Sequence, residues 1–249
     1  KFTFKQKYLF CTKMIKKNIV SVIIPVYNEE RLIKSLLKKI NSVKNIKKEI
    51  IIINDGSTDK TVKVINNECG GLYTKLINSK INRGKGYACR MGIKKATGGI
   101  ILIQDGDLEY NPENYKRLIK PILLKKFKVV YGSRVLKGGK RTRPKTFSFK
   151  VRTFANHFLT FLSNILNNQK LTDAHTCYKV FSSEVIQNIE LHEDGFNFCP
   201  EVTTKISKLK VKILEVPIDY CGRTIKEGKK IEFLDGFRAI QCLFKYKFL

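Results

Sequence analysis

The stretch Gly99-Ile100-Ile101-Leu102-Ile103-Gln104-Asp105-Gly106-Asp107-Leu108-Glu109 passes directly from an unbroken apolar run to three acidic side chains at alternate positions. A short continuous apolar run of this kind reads as a buried strand, and the acids follow where that strand ends. Asp105 and Asp107, with Glu109 two residues on, can hold one divalent cation between them. A hard cation such as Mg²⁺ usually takes one or two carboxylates and fills its shell with water and phosphate oxygens, which points to a nucleotide-diphosphate substrate. Taken alone, the same residues also describe a solvated turn after a strand.

The chain on either side decides between the two. Apolar runs at Val20–Pro25, Glu49–Asn54, Leu72–Ile77, Gly99–Gln104 and Lys128–Ser133 read as strands, with helices expected near 29–43, 59–67, 85–97 and 113–126. This alternation implies right-handed crossovers and an α/β fold whose central sheet is mainly parallel and flanked by helices. Ligands of such sheets bind beyond the carboxyl ends of the strands. Pro25-Val26-Tyr27-Asn28-Glu29, Asn54-Asp55-Gly56-Ser57-Thr58-Asp59 and the Asp105 cluster all fall there. After Arg134 the pattern changes to a Gly/Lys/Arg loop at 137–145, expected to be mobile. A helix near 150–168, a strand near 176–181, a helix at 200–209, a strand at 211–216 and a helical end over 231–249 follow.

With 249 residues the chain is long enough for one large domain and a sizeable core. The reading places the domain at 18–232, with a nucleotide half at 18–134, an acceptor half at 135–232 and a C-terminal helix at 233–249. Residues 1–17 are set apart as a disordered or non-native extension, with Met14 read as a start. The seven cysteines form no Cys-x-x-Cys and no zinc spacing, so free thiols in a reducing compartment are expected. No apolar run is long enough to span a bilayer. The formal net charge of +28 suits nucleic acid, an anionic membrane surface or an acidic substrate, and equally a lysine-rich coding bias with no specific partner. A nucleic-acid reading rests on charge alone, since neither an aromatic-basic RNA motif nor a basic DNA-reading helix is present.

In Asn54–Asp59, Gly56 permits a tight turn and Ser57, Thr58 or Asp59 can cap a helix, which leaves Asp55 to face a base or ribose. The alternative is a cap and turn with no ligand. Asn82-Arg83-Gly84-Lys85-Gly86-Tyr87-Ala88 is Gly-rich and basic ahead of a helix, so its amides and Lys85 are placed to face a phosphate or sugar. It has neither the ending of a nucleotide-triphosphate loop nor a dinucleotide spacing. Arg134, after Gly132-Ser133, is a candidate for bidentate phosphate contact.

Together these runs resemble the family 2 glycosyltransferases of GT-A fold, and within them the polyprenyl-phosphate and dolichyl-phosphate sugar synthases, over roughly residues 18–245. The resemblance implies that Pro25, Tyr27 and Glu29, with Asp55, bind the nucleotide, and Lys85 and Asp105 join them. It implies Mg²⁺ or Mn²⁺ on Asp105 and Asp107, with Glu109 as a further ligand. The match continues through Gly132-Ser133-Arg134, Thr172-Asp173-Ala174-His175-Thr176-Cys177-Tyr178-Lys179 and Val216-Pro217-Ile218 to Arg223. Gly195–Glu201 lines the acceptor side by the same resemblance, or is a hydrophobic turn. Two departures stand out: Asn54 replaces the usual first Asp of its pair, and Gly106 replaces a common Ala.

The implied activity is inverting transfer of a sugar from a UDP- or GDP-linked donor to a polyprenyl or dolichyl phosphate. Asp107, Arg134 and Asp173 are the catalytic candidates. Arg134, Arg223 and Lys229 or Lys230 supply fixed positive charge, Arg134 and Lys179 position the acceptor phosphate, and Leu214 to Lys230 forms a lid. An ionised phosphate acceptor needs no general base, because its second pKa is about 6. A sugar-hydroxyl acceptor in surface-glycan synthesis is the rival, with Asp173 as its base; a non-catalytic nucleotide-binding relative is another. His175 beside Asp173 reads as a neutral structural histidine. Phe147, Phe149, Phe154, Phe158 and Phe161, and the segment Phe237–Leu249, fit either a bilayer surface or core packing. The implied location is the cytoplasmic face of a membrane, peripherally or through a membrane-protein partner.

Overall fold

The computed structural model describes residues 16–142, 144, 146–223 and 233–249. Its main sheet is built from β1 (Lys16–Val26), β2 (Lys48–Asp55), β3 (Lys75–Ser79), β4 (Gly98–Ile103), β5 (Val129–Ser133), β7 (Lys179–Ser182) and β8 (Ile213–Pro217), in the order β3-β2-β1-β4-β7-β5-β8. The pairs β3/β2, β2/β1, β1/β4 and β5/β8 are parallel, while β7 runs antiparallel to both β4 and β5. The central strands are continuous runs of Val, Ile and Leu because both of their faces are covered: Val22, Ile23, Ile24, Ile51, Ile52, Ile101 and Leu102 are fully enclosed.

Helices α1 (Ile33–Ser42), α2 (Thr61–Glu68), α3 (Lys85–Lys95), α4 (Tyr115–Leu123) and α6 (Ser183–Ile186) serve the sheet, with α3 against β1 and β2, α4 against β5 and β7, and α6 against β4. In α1, Ile33, Leu36, Leu37 and Ile40 fall on one face and are buried, with lysines between them. Three longer helices, α5 (Phe147–Asn167), α7 (Phe198–Lys208) and α8 (Phe233–Phe248), pack on one another.

Several expectations shift. β1 begins at Lys16, inside the stretch set apart as an extension; residues 1–15 lie outside the described residues. β3 starts at Lys75 rather than Leu72, because Leu72 N–H turns back onto the Cys69 carbonyl and pairing with β2 resumes only at Thr74. The loop expected to be mobile holds β6 (Arg141–Thr142), which pairs in parallel with β9 (Tyr220–Cys221), and Lys140 N–H donates to Asp219 at 2.7 Å. The expected lid starts inside the main sheet, since 213–217 is β8; Lys229 and Lys230 lie outside the described residues.

Candidate active site

The parallel strands β1, β2 and β4 end at one edge, and antiparallel β7 begins there, so Tyr27–Glu29, Asp55, Asp105–Glu109 and Asp173–Lys179 converge from distant parts of the sequence. The loops after β1 and β2 are zipped together. Asn28, in left-handed conformation at φ 51°, donates its N–H to Ser57 Oγ at 3.0 Å and accepts from Thr58 N–H at 2.8 Å, while Glu29 N–H donates to Thr61 Oγ1 at 2.8 Å. Gly56 is required here: at φ +70° a Cβ would stand 2.5 Å from the Ile81 carbonyl carbon. Asn54 caps the same turn, accepting from Ser57 N–H at 3.1 Å.

Asp55, expected to face a base or ribose, has backbone partners here. It is buried, and its carboxylate accepts from Arg83 N–H at 3.1 Å and Gly84 N–H at 2.6 Å. The Gly-rich loop is likewise no anion cradle. Gly86 N–H donates to the Gly195 carbonyl at 3.2 Å and Tyr87 N–H to the Asp194 carbonyl at 3.0 Å, so loop 193–195 takes the amides at the start of α3. A Cβ on Gly86 would lie 2.3 Å from the Glu193 carbonyl oxygen, which is why this contact needs glycine. Gly195 therefore docks on α3, and Phe198 enters the core.

Lys85 projects to the acidic cluster, with its ammonium 2.5 Å from Asp105. Burial alone would lower its pKa, but Asp105 outweighs that and holds it well above the ordinary lysine range. Asp107 is buried, and desolvation together with the charges of Asp105 and Glu109 pushes its carboxyl up to about 7. Arg223 works against that rise: Nη2 lies 2.7 Å from Asp107 Oδ2 and 3.4 Å from Glu29 Oε1. Arg223 thus meets Glu29 and Asp107 across the mouths of β1 and β4.

Glu109, expected as a further metal ligand, has protein partners here. It is buried, with Oε1 accepting Arg223 N–H at 2.8 Å and Oε2 accepting the Tyr220 hydroxyl at 3.3 Å, and the Cys221 N–H bonds its carbonyl at 2.8 Å. It ties β9 to the end of β4. Among the described residues no group of three His, Cys, Asp or Glu side chains is arranged to hold a metal ion. Asp105 and Asp107 still fit a hard cation, being two oxygen donors on either side of Gly106 at the end of β4.

On the other side of β7, three further candidates have protein partners. Arg134, expected to clamp a phosphate, instead directs Nε and Nη2 to Asp173 at 2.7 and 2.8 Å. Asp173, expected as a base, is fully buried and also accepts Arg134 N–H and Asn156 Nδ2; Arg134 overcomes the cost of burial and pulls its carboxyl down to about 2. Lys179, expected at the acceptor phosphate, is fully buried, donating to the Ala174 and Thr176 carbonyls at 2.8 Å over the Tyr131 ring. His175 is neutral as read, its pKa lowered to about 3 by burial and by Lys179. Pro25 and Tyr27 sit half-buried at the mouth of β1.

Several residues of this region carry no local sequence signal. Glu215 of β8 accepts Thr172 N–H at 2.6 Å and Asp173 N–H at 2.9 Å, and so positions the Asp173 carboxylate. Gln104 accepts the hydroxyls of Tyr115 and Tyr178, both at 2.8 Å, and Tyr110 packs between Tyr178 and Tyr220 beneath the acids.

A family model described as glycosyl transferase family 2 matches residues 21–190. The chain is 29% identical over 248 residues to the UDP-N-acetylglucosamine–dolichyl-phosphate N-acetylglucosaminyltransferase of Methanococcus voltae, covering 92% of this chain and 96% of that one. It is 28% identical to the dolichol-phosphate mannosyltransferase of Pyrococcus furiosus over 84% of this chain, and spans 58% of that protein's length. Among solved structures, glucosyl-3-phosphoglycerate synthase of Mycobacterium tuberculosis, in complex with Mn²⁺, UDP and glucosyl-3-phosphoglycerate, superposes with a TM-score of 0.66 at 18% identity, over 93% of this chain and 81% of that one. That likeness concerns the fold, which is the GT-A fold.

Proposed function

Because this chain belongs to glycosyl transferase family 2, we propose that it transfers a sugar, with inversion, from a UDP- or GDP-linked donor to a polyprenyl or dolichyl phosphate at a membrane surface. The observation that carries the reading is the acid set at the end of β4, where Asp105 and Asp107 stand two residues apart with Lys85 2.5 Å from the first and Arg223 2.7 Å from the second. The names of the Methanococcus and Pyrococcus relatives favour a dolichyl-phosphate acceptor.

In this reading Asp105 and Asp107 hold Mg²⁺ or Mn²⁺, which when bound supplies Lewis-acid neutralisation of the diphosphate. Lys85, with its ammonium 2.5 Å from Asp105, orients that carboxylate. Pro25, Tyr27 and Glu29 line the nucleotide side, with Asp55 acting through the 83–84 backbone. Arg223 brings a fixed positive charge to the departing diphosphate. An acceptor phosphate oxygen forms the new bond at the anomeric carbon while the bond to the diphosphate breaks, and the electron pair leaves with the diphosphate. No proton need be removed from an ionised phosphate, which agrees with Asp173 being locked on Arg134. A hydroxyl acceptor would lack that base. The location belonging to this reading is the cytoplasmic face of a membrane; among the described residues no helix is long and apolar enough to cross one.

The test is transfer of radiolabelled sugar from a panel of UDP- and GDP-sugars into an organic-extractable polyprenyl phosphate, with Mg²⁺ or Mn²⁺. Label is expected in the lipid phase with the wild type and to fall by about 10²–10³-fold with Asp107→Ala. Metal-dependent nucleotide binding without transfer into lipid would assign a different acceptor.

A further inference from the structure

Helix α5 is amphipathic in the reverse sense. Phe147, Val151, Phe154, Phe158, Phe161 and Ile165 follow one another at alternating helical steps of four and three residues and all face solvent, Phe154 at 74% and Phe161 at 61% exposure. Its buried side is Leu159, Thr160, Ser163 and Asn167. The inward groups are spoken for: Asn156 Nδ2 donates to Asp173 at 3.2 Å and Asn167 Nδ2 to Thr204 Oγ1 at 3.1 Å. Helix α8, packed against α5, repeats the arrangement, with Leu234, Phe237, Phe244 and Phe248 exposed while Ala239, Cys242, Leu243 and Tyr246 are buried. A helix in water places such a stripe inward, so an apolar row this long on the outside marks a surface with a partner.

Charge identifies the partner. Helix α5 contains Lys150 and Arg152 and no acidic residue, and α8 adds Arg238, Lys245 and Lys247, of which Arg238 lies 3.5 Å from Asp235 and Lys245 2.9 Å from Glu193, so the cations of the two helices outnumber the acids that meet them. Two copies joined through this face would bring the same cations together, whereas an anionic lipid surface complements them and accepts the aromatic row. We propose that the exposed stripe of α5, extended by that of α8, docks the protein on an anionic bilayer. The docking gives a purpose to the lipid-phosphate reading and rests on it in that respect. The same helix that presents Phe154 outward reaches the Arg134–Asp173 pair inward through Asn156, so the bilayer would lie one helix away from the acceptor side of the site.

The test is co-flotation of the full chain with vesicles of phosphatidylcholine, alone or with about 30% phosphatidylserine. Wild type should float with the anionic vesicles, and the combined variant Phe154→Ser, Phe158→Ser, Phe161→Ser should lose at least about tenfold in partitioning at an unchanged unfolding midpoint. Binding should also weaken severalfold at about 0.5 M salt. A wild type that ignores both kinds of vesicle, a triple variant that floats equally well, or a wild-type dimer that the variant converts to monomer would each overturn the proposal. Transfer to a short-chain, water-soluble polyprenyl phosphate should be the same for wild type and variant. Its absence from both, with vesicle binding intact, would count against the transferase reading alone.

Discussion

Two buried charge clusters flank β7, and they are built to different ends. At the end of β4, Asp105, Asp107 and Glu109 crowd together with Glu29 nearby, Lys85 meets Asp105 and Arg223 meets Asp107 and Glu29, and burial with the neighbouring carboxylates pushes Asp107 up to about 7. Beyond β7, Arg134 and Asp173 meet in a two-pronged pair, each hydrogen-bonded further, and Asp173 is pulled down to about 2. The first cluster gathers carboxylates from the ends of β1 and β4 around Lys85 and Arg223, the set that a cation and a diphosphate would meet in the proposed reading. The second is spent on itself, and what it supplies is a fixed wall against α5.

The comparison breaks if the two respond alike to losing a carboxylate. Asp173→Ala should destabilise the protein by about 3–5 kcal/mol, because it strands a buried guanidinium, and urea unfolding followed by circular dichroism reads this directly. The second expectation concerns acid. His175 is held neutral, with its pKa lowered to about 3, so the unfolded chain takes up a proton below the ordinary 6.5 that the folded chain does not. Stability should therefore fall by up to about 1.4 kcal/mol per pH unit as pH drops below that ordinary value, and His175→Asn should flatten the slope. Asp107 has the opposite sign, since its raised carboxyl binds a proton in the folded state first and so adds stability as pH falls through about 7. The smallest effect follows from that: at pH 8, Asp107→Asn should raise stability by about 1–2 kcal/mol while transfer is lost. A loss of stability there would show that Arg223 needs Asp107 more than Asp107 is strained by its neighbours.

Much of this was legible in the residues. The runs Val20–Pro25, Glu49–Asn54 and Gly99–Gln104 gave their strands because buried parallel strands are continuously apolar, and the acids after them announced where chemistry gathers. β3 and the 137–145 loop were less legible, since their pairing is set by Ile50 and by Asp219, far off in the chain. At the site, Asp105 and Asp107 were read from their spacing and Lys85 from its Gly-rich basic run, and the structure brings Lys85 to 2.5 Å from Asp105. Asp55, Glu109, Arg134, Asp173 and Lys179 were read as facing ligands, but their partners are Arg83 and Gly84, Arg223 and Tyr220, each other, and the carbonyls of Ala174 and Thr176. No local pattern encodes such pairings. The phenylalanines of α5 show the same limit: their helical spacing was plain, but which side faced water depended on what packed against the helix.

By itself the sequence determined the alternation of strand and helix and the carboxylates at the end of β4, because these depend on periodicity and on residue types at short range, and its motifs carried the resemblance to the family. The tertiary structure decided which charges are neutralised and which face of α5 is turned outward. Both follow from burial and from partners brought together across the sheet, where desolvation makes a charge either find its counter-ion or remain available for a ligand.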